Sequence, residues 1–303
     1  MRILLVHNYY RIRGGEDVVF ETERDMLIKN GHQVETFTVK SKDDMNAIEK
    51  INTAFLGFYN HKVAKKLALI IAEFKPDIMH VHNFFPLLSP AIFDVADKMN
   101  IPIVMTLHNF RLICPQAMFL RNGTICTDCI SSRFSLPAIQ HSCYQNSKLA
   151  TTINAGIIST ASIQGIWQHK VSKYIVLNPF VKELFSQSTL AISENKFSIK
   201  PNFTPDFGFS FDKEPFALFV GRLSEEKGLA HLLEAFKNTP DIKLKIAGTG
   251  PLESLVQEAS KQYPNIEYLG VQSREKIMGL LKRASALIFT SIWYENCPMT
   301  ILE

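Results

Sequence analysis

Short apolar runs alternate with amphipathic stretches along the first hundred residues. Arg2 to His7 is an apolar run that predicts a strand, and it leads into Gly14-Gly15-Glu16. From Asp17 to Lys29, Val18, Val19, Met26 and Leu27 fall on one helical stripe, and Asn30-Gly31 supplies a stop. Val34 to Val39 then alternates as a strand. A basic amphipathic helix is predicted from about His61 to Phe74, ending before Pro76. Asp77 to Val81 reads as a strand, Pro90 to Met99 as a helix, and Ile101 to Leu107 as a strand that stops at His108.

A second series begins after Asn202-Phe203-Thr204-Pro205-Asp206, which has the composition of a linker. Strands are predicted at Phe216–Val220, Lys243–Ala247, Ile266–Leu269 and Ala286–Thr290. Helices fall between them at Gly228–Phe236, Leu252–Gln262 and Arg274–Ala284. No solenoid-type repeat and no low-complexity segment interrupts this rhythm.

Strands alternating with helices predict an α/β fold with parallel sheets covered on both faces. The linker divides the chain into residues 1–204 and 205–303, two Rossmann-like domains expected to face each other across a cleft. Parallel sheets bind ligands at the carboxyl ends of their strands. Three polar clusters fall at such ends in the first series: Gly14-Gly15-Glu16, His80-Val81-His82-Asn83 and His108-Asn109. One histidine at a strand end is commonly structural, whereas several converging on one edge point to a site.

Composition narrows the function classes. Of 303 residues, 46% are hydrophobic and 20% charged, the balance of a globular protein with substantial cores. The opening apolar run lasts only five residues before His7, too short for a signal peptide, so the expected location is the cytoplasm. Net charge is +4, distributed as +6 over residues 1–204 and −2 over 205–303. A mildly basic first half suits an anionic acceptor or membrane surface, or is simply a solvated face. No basic block is dense enough for nucleic acid.

The second series carries phosphate chemistry. Gly221-Arg222-Leu223-Ser224-Glu225-Glu226-Lys227-Gly228 follows its first strand. Gly221 lets the chain turn and a ligand approach, and Arg222 and Lys227 bring two cations to a helix start whose amides favour an anion. A diphosphate suits this arrangement. Gly248-Thr249-Gly250-Pro251 forms a second tight turn. The last nine residues place Glu295 and Glu303 on either side of Pro298, which sits like the first residue of a helix. Glu303 would accept hydrogen bonds from a ribose diol and Glu295 from sugar hydroxyls.

Two further groups stand out. Cys114, Cys126, Cys129 and Cys143 lie within thirty residues, the middle pair spaced C-x2-C. They read either as a structural zinc knuckle or as packed thiols; disulfides are not expected in a cytosolic chain. Phe55, Phe58 and Tyr59 precede a helix carrying Lys62, Lys65 and Lys66. That edge would rest on an anionic membrane or a lipid-diphosphate acceptor. The alternative is an ordinary helix packing Val63, Leu67, Ile70 and Ile71 on the sheet.

Taken in order, Gly14-Gly15, Thr-Leu-His108-Asn109, Gly221-Arg222-x4-Lys227-Gly228, Ala247-Gly248-x-Gly250-Pro251 and Glu295-x7-Glu303 make the chain resemble glycosyltransferase family 4. The resemblance implies the GT-B fold and retaining transfer of a hexose-type sugar from a UDP- or GDP-type donor, with no cofactor and no catalytic metal. The acceptor it implies is a glycan or a lipid-linked sugar, as in surface polysaccharide synthesis. By the same analogy Arg222 and Lys227 neutralise the leaving diphosphate, Glu303 holds the ribose, Glu295 the donor sugar, and His108 stands near that sugar. Gly15 lets the first loop close over the phosphates. Absence of an Asp-x-Asp motif agrees with a metal-independent reaction. Family members continue beyond a position like Glu303, so the resemblance marks the second domain as incomplete and the chain as a fragment.

Three other readings remain at this point. A nucleotide-sugar epimerase of the same fold would share the diphosphate site. A non-catalytic nucleotide-binding remnant would keep the fold alone. A nicotinamide-dependent oxidoreductase lacks its G-x-G-x-x-G after the first strand.

Overall fold

The computed structural model describes residues 1–10, 13–40 and 46–303. The chain divides into two compact units: Met1–Phe119 with Thr127–Asn202, and Leu120–Cys126 with Phe203–Glu303.

The first unit is built on β1 (Arg2–Tyr9), β2 (Gln33–Lys40), β3 (Ile78–Asn83) and β4 (Ile103–Thr106). With β7 (Lys173–Val176) and β8 (Phe197–Ile199) they form a six-stranded sheet in the order β2-β1-β3-β4-β7-β8. Every pairing is parallel. The chain leaves β1 toward β2 and returns on the other side to β3. The strand order therefore reverses between β1 and β3, a topological switch point where the loops part and a crevice opens.

Local chemistry explains the helices beside this sheet. In α1 (Gly15–Lys29), Asp17 reaches back to accept the Gly14 amide at 2.9 Å, satisfying a donor at the helix start. Ahead of α3 (His61–Phe74), the Asn60 side chain accepts from the Val63 amide at 3.2 Å. Leu67 and Ile71, four apart, are buried on the inner face of that helix, each worth about 2 kcal/mol of apolar burial. Helices α2 (Ala47–Phe58) and α4 (Ala91–Lys98) complete the first hundred residues. Phe55 lies on α2 and is 73% exposed.

Between His108 and Asn202 the hydrophobic pattern predicts no elements, yet the structure has several. They are α5 (Leu136–Gln140), α6 (Lys148–Ile163) and α7 (Pro179–Ser186) besides β7 and β8. The reason is visible in α6, which buries Thr151, Asn154 and Ser159 together with Ala155, Ile157, Ile158 and Ala161. A buried face made of small polar and apolar residues has no clear stripe.

The second unit holds β9 (Glu214–Val220), β10 (Lys243–Ala247), β11 (Ile266–Gly270) and β12 (Ala284–Leu287), parallel and in the order β11-β10-β9-β12. Alternate residues of β9 serve two cores: Phe216 and Leu218 cluster with Leu280 and Ala284, Ala217 and Phe219 with Leu232 and Leu233. Burial on both faces is why β9 is an unbroken apolar run. Around it lie α8 (Leu229–Lys237), α9 (Glu253–Gln262), α10 (Arg274–Arg283) and α11 (Met299–Leu302). A short antiparallel hairpin, β5 (Leu120–Arg121) with β6 (Thr124–Ile125), belongs to this unit although it precedes the linker by some eighty residues. The second switch point lies between β9 and β12. Among the described residues no helix is long and apolar enough to cross a membrane.

Candidate active site

In the second unit the loops after β9 and β10 are locked together by backbone. A Cβ added to Gly248 (φ +143°) would lie 1.9 Å from the Gly221 carbonyl oxygen, and one on Gly250 2.4 Å from the Leu223 carbonyl oxygen. The Leu223 amide donates to the Thr249 carbonyl at 2.9 Å, and the Leu252 amide to the Leu223 carbonyl at 2.9 Å. The two glycine turns after β9 and β10 are thus one backbone layer. Gly228, at φ +67°, faces the other side of the crevice, where a Cβ would meet the Thr290 carbonyl oxygen at 2.0 Å.

That close approach accompanies a contact between Lys227 and the Glu295 carboxylate. Lys227 Nζ lies 2.5 Å from Glu295 Oε1, an ion pair whose side chains are 21% and 15% exposed. Ser291 Oγ and Trp293 Nε1 donate to the same oxygen at 2.7 and 2.8 Å. The Lys227 ammonium also stands 5.4 Å from the centre of the Trp293 ring. Sequence reasoning named Lys227 and Glu295 for separate tasks and missed Ser291 and Trp293, which stand four and two residues before Glu295. Arg222 is exposed in the same loop. Glu303 pairs with Arg274 Nη2 at 3.2 Å. Burial pushes the Glu303 carboxyl up and Arg274 pulls it back. Helix α11 starts at Met299, with Pro298 as its flanking residue rather than its first turn.

In the first unit the three polar clusters meet at the β1/β3 switch point. Asn83 Nδ2 donates to the Asn8 carbonyl at 2.8 Å, and the Leu87 amide donates to Asn8 Oδ1 at 3.1 Å. Asn109 Nδ2 donates to Glu16 Oε2 at 3.3 Å, joining the Gly14-Gly15 loop to the His108 strand end. Gly14 and Gly15 are exposed there. His108 Nε2 lies 3.0 Å from His82 Nδ1, with the rings stacked. A pocket lies against His82, Asn83, Thr106, His108, Asn109 and Arg111. Burial, reinforced by His7 and His80, pushes the His108 imidazole down to about 3, so it stays neutral at ordinary pH. Glu16 is pushed up to about 8 by burial and by Asp17, against the pull of Arg111 and Asn109.

Comparison with known proteins identifies the family. Residues 13–123 match Glycosyltransferase Family 4, and residues 203–303 match Glycosyl transferases group 1. The chain belongs to glycosyltransferase family 4. It is 22% identical over 342 positions to an uncharacterized 42.6 kDa protein in the cps region of Klebsiella pneumoniae, covering 100% of this chain and 82% of that protein. It is 24% identical over 327 positions to an uncharacterized glycosyltransferase of Methanocaldococcus jannaschii, covering 100% and 77%. Among solved structures it is similar to WaaG, a glycosyltransferase involved in lipopolysaccharide biosynthesis. The TM-score there is 0.58 at 14% identity, covering 95% of this chain and 75% of that one. It is also similar to the catalytic domain of starch synthase IV from Arabidopsis thaliana, bound to ADP and acarbose (TM-score 0.58, 14% identity, 99% and 79% covered). The fold of this glycosyltransferase is GT-B.

The cysteines need a correction. Among the described residues, Cys114, Cys126, Cys129 and Cys143 form no group of ligand atoms close enough to share one ion. No disulfide joins any of the five cysteines.

Proposed function

We propose that this glycosyltransferase transfers a hexose-type sugar from a UDP- or GDP-type donor to a glycan or lipid-linked acceptor with retention of configuration. In this reading the domain of residues 205–303 holds the donor and that of residues 1–204 meets the acceptor. The observation that carries the proposal is the Lys227–Glu295 pair at the β9/β12 switch point, where Gly228 passes too close to the Thr290 carbonyl to carry a side chain. As the bond from the sugar to the diphosphate breaks, negative charge develops on the leaving phosphate. Arg222 and Lys227 neutralise it from a scaffold already in place, which lowers the barrier as well as favouring binding. Glu295 Oε1 is held by Lys227, Ser291 and Trp293, so Oε2 takes the sugar hydroxyls. Glu303 accepts from the ribose diol, and neutral His108 offers a hydrogen bond to the donor sugar.

Calorimetric titration with UDP and GDP tests the donor half. Binding of one of them, weakened in Arg222→Ala and in Glu303→Ala, supports the reading; equal binding by the wild-type chain and both variants would sink it.

The acceptor half rests on an edge of the first unit. On α2 Phe55 is 73% exposed; on α3 Leu69 is 65% exposed and shares a face with exposed Lys62, Lys65 and Lys66, while Leu67 and Ile71 are buried. We propose that this edge touches an anionic membrane at the cytoplasmic face, where a lipid-linked acceptor lies. Failure to co-sediment with anionic vesicles at low salt would remove the membrane contact and leave the donor chemistry standing. The relative from a cps region and the likeness to WaaG support surface polysaccharide synthesis as the setting.

A further inference from the structure

A second cluster of chemistry lies behind His108, and the proposed reaction does not use it. His80 and His82 are two residues apart on β3, so both side chains leave the same face of the sheet, toward α1. There they meet Glu23. All three side chains are buried, and one ligand atom from each lies within 4.8 Å of the others.

We propose that Glu23, His80 and His82 bind one divalent transition-metal ion of the zinc class. The orientation of the rings carries the argument. His80 Nδ1 lies 3.6 Å from Glu23 Oε1, while its other nitrogen is held by Thr106 Oγ1 at 2.8 Å. His82 Nε2 lies 4.0 Å from Glu23 Oε2, while its other nitrogen is held by His108 at 3.0 Å. Each imidazole thus presents one nitrogen to the carboxylate and has the opposite one fixed by a neighbour, as metal-bound histidines do. His82 Nε2 is fully enclosed and has no hydrogen-bond partner among the described residues. Leaving a buried polar atom unpaired destabilises the fold, and a bound cation removes that cost.

The distances and chemistry fit. Bonds of about 2.0–2.1 Å at tetrahedral angles place ligand atoms about 3.3 Å apart, so the carboxylate has to close on His80 by about 0.3 Å and on His82 by about 0.7 Å. Burial lowers the proton affinity of both rings, keeping them in the neutral form that donates a lone pair. Two imidazoles and a carboxylate suit zinc better than magnesium or calcium. Lys200 Nζ lies 3.0 Å from Glu23 Oε2 on a side chain 39% exposed. Lys200 and the ion are therefore alternative counter-charges for one buried carboxylate. A metal on His82 Nε2 also confines the His82 proton to Nδ1, so His82 donates to His108 Nε2 and leaves the His108 proton on Nδ1.

The test is titration of the chelator-treated 303-residue chain with Zn2+ and Co2+, followed by calorimetry and by the visible absorption of Co2+. One ion per chain is expected, with a low-coordinate Co2+ spectrum that lacks thiolate charge-transfer bands. Glu23→Gln and His82→Asn should each weaken binding at least about tenfold. Lys200→Met, a change at a partly exposed side chain, should tighten it. The combined Cys114→Ser, Cys126→Ser, Cys129→Ser and Cys143→Ser variant should bind unchanged. Absence of binding to folded wild-type protein overturns the proposal. So does binding lost in the cysteine variant, or binding by Lys200→Met no tighter than by wild type.

Discussion

Lys227 Nζ and Glu295 Oε1 stand 2.5 Å apart across the β9/β12 switch point, sixty-eight residues apart in the chain. The contact ties the loop after β9 to the loop after β12. It rests on Gly228, where any side chain would collide with the Thr290 carbonyl. Glycine at that point is a requirement of the ion pair as much as of the turn.

Lys227→Met should therefore act on chemistry more than on fold. Loss of one preorganised cation at a developing phosphate charge is expected to lower kcat by about 10²–10³. Glu295→Gln keeps the shape and should lower kcat with little change in nucleotide affinity, because in the proposed reaction that carboxylate meets the sugar and not the nucleotide. A Glu295→Gln enzyme that loses UDP or GDP binding while keeping its turnover would reverse these roles.

The glycines separate into two kinds. A Cβ on Gly14 meets nothing within 4 Å, whereas one on Gly250 lies under 3 Å from three backbone atoms of Leu223. Gly14→Ala should leave the melting temperature within about a degree or two of wild type, so any loss of donor affinity reports a ligand approaching that loop. Gly250→Ala should destabilise the second unit by about 1–3 kcal/mol or prevent its folding, because backbone cannot step aside as a flexible side chain does. Thermal melts of the two variants side by side check both statements.

Much of this architecture is legible in the chain. Helix α3 and strand β10 occupy the residues that periodicity marks, because each has a clear stripe or a run bounded by breakers. The convergence of Gly14-Gly15-Glu16, His82-Asn83 and His108-Asn109 follows from βα topology, which brings strand ends to one edge. What lies between His108 and Asn202 was not legible. Strands β7 and β8 are four and three residues long, too short for a period, and the buried face of α6 mixes threonine, asparagine and serine with alanine and isoleucine. The hairpin Leu120–Ile125 was hidden for another reason: no local pattern records that a segment belongs with residues eighty positions later. Partners such as Trp293 for Glu295 and Arg274 for Glu303 depend on side-chain direction, which spacing alone does not supply.

Arg274 makes a further prediction possible. Burial raises the Glu303 carboxyl, and Arg274, 3.2 Å away, restrains the rise. Arg274→Ala removes the restraint, so Glu303 takes its proton at a higher pH than in the wild type. A carboxylate that binds a ribose diol must be ionised. Nucleotide affinity in Arg274→Ala should therefore begin to fall at a higher pH as the solution is acidified. Dissociation constants measured from pH 8 to pH 5 check this; superimposable profiles would show that Glu303 does not meet the nucleotide.

Glu16 gives the clearest link between pH and stability. It sits in the first turn of α1 with Oε1 enclosed and without a hydrogen-bond partner among the described residues, and burial lifts its carboxyl from 4.5 to about 8. Between these values the folded chain holds a proton that the unfolded chain has released. Unfolding then loses a proton, so stability falls as pH rises across that window. The contribution is complete below about 4.5 and is lost progressively up to about 8. Each tenfold change in proton affinity is worth about 1.4 kcal/mol, so the whole span amounts to a few kcal/mol. Glu16→Gln mimics the protonated side chain and does not titrate. Urea midpoints should converge for the two proteins near pH 5 and separate toward pH 8, with the variant the more stable. The neutral form has a functional side as well: an ionised Glu16 beside Gly15 would repel a diphosphate approaching the start of α1, and the protonated carboxyl does not. Donor affinity in the wild type should therefore weaken above pH 8 more than in Glu16→Gln, which the same titrations measure.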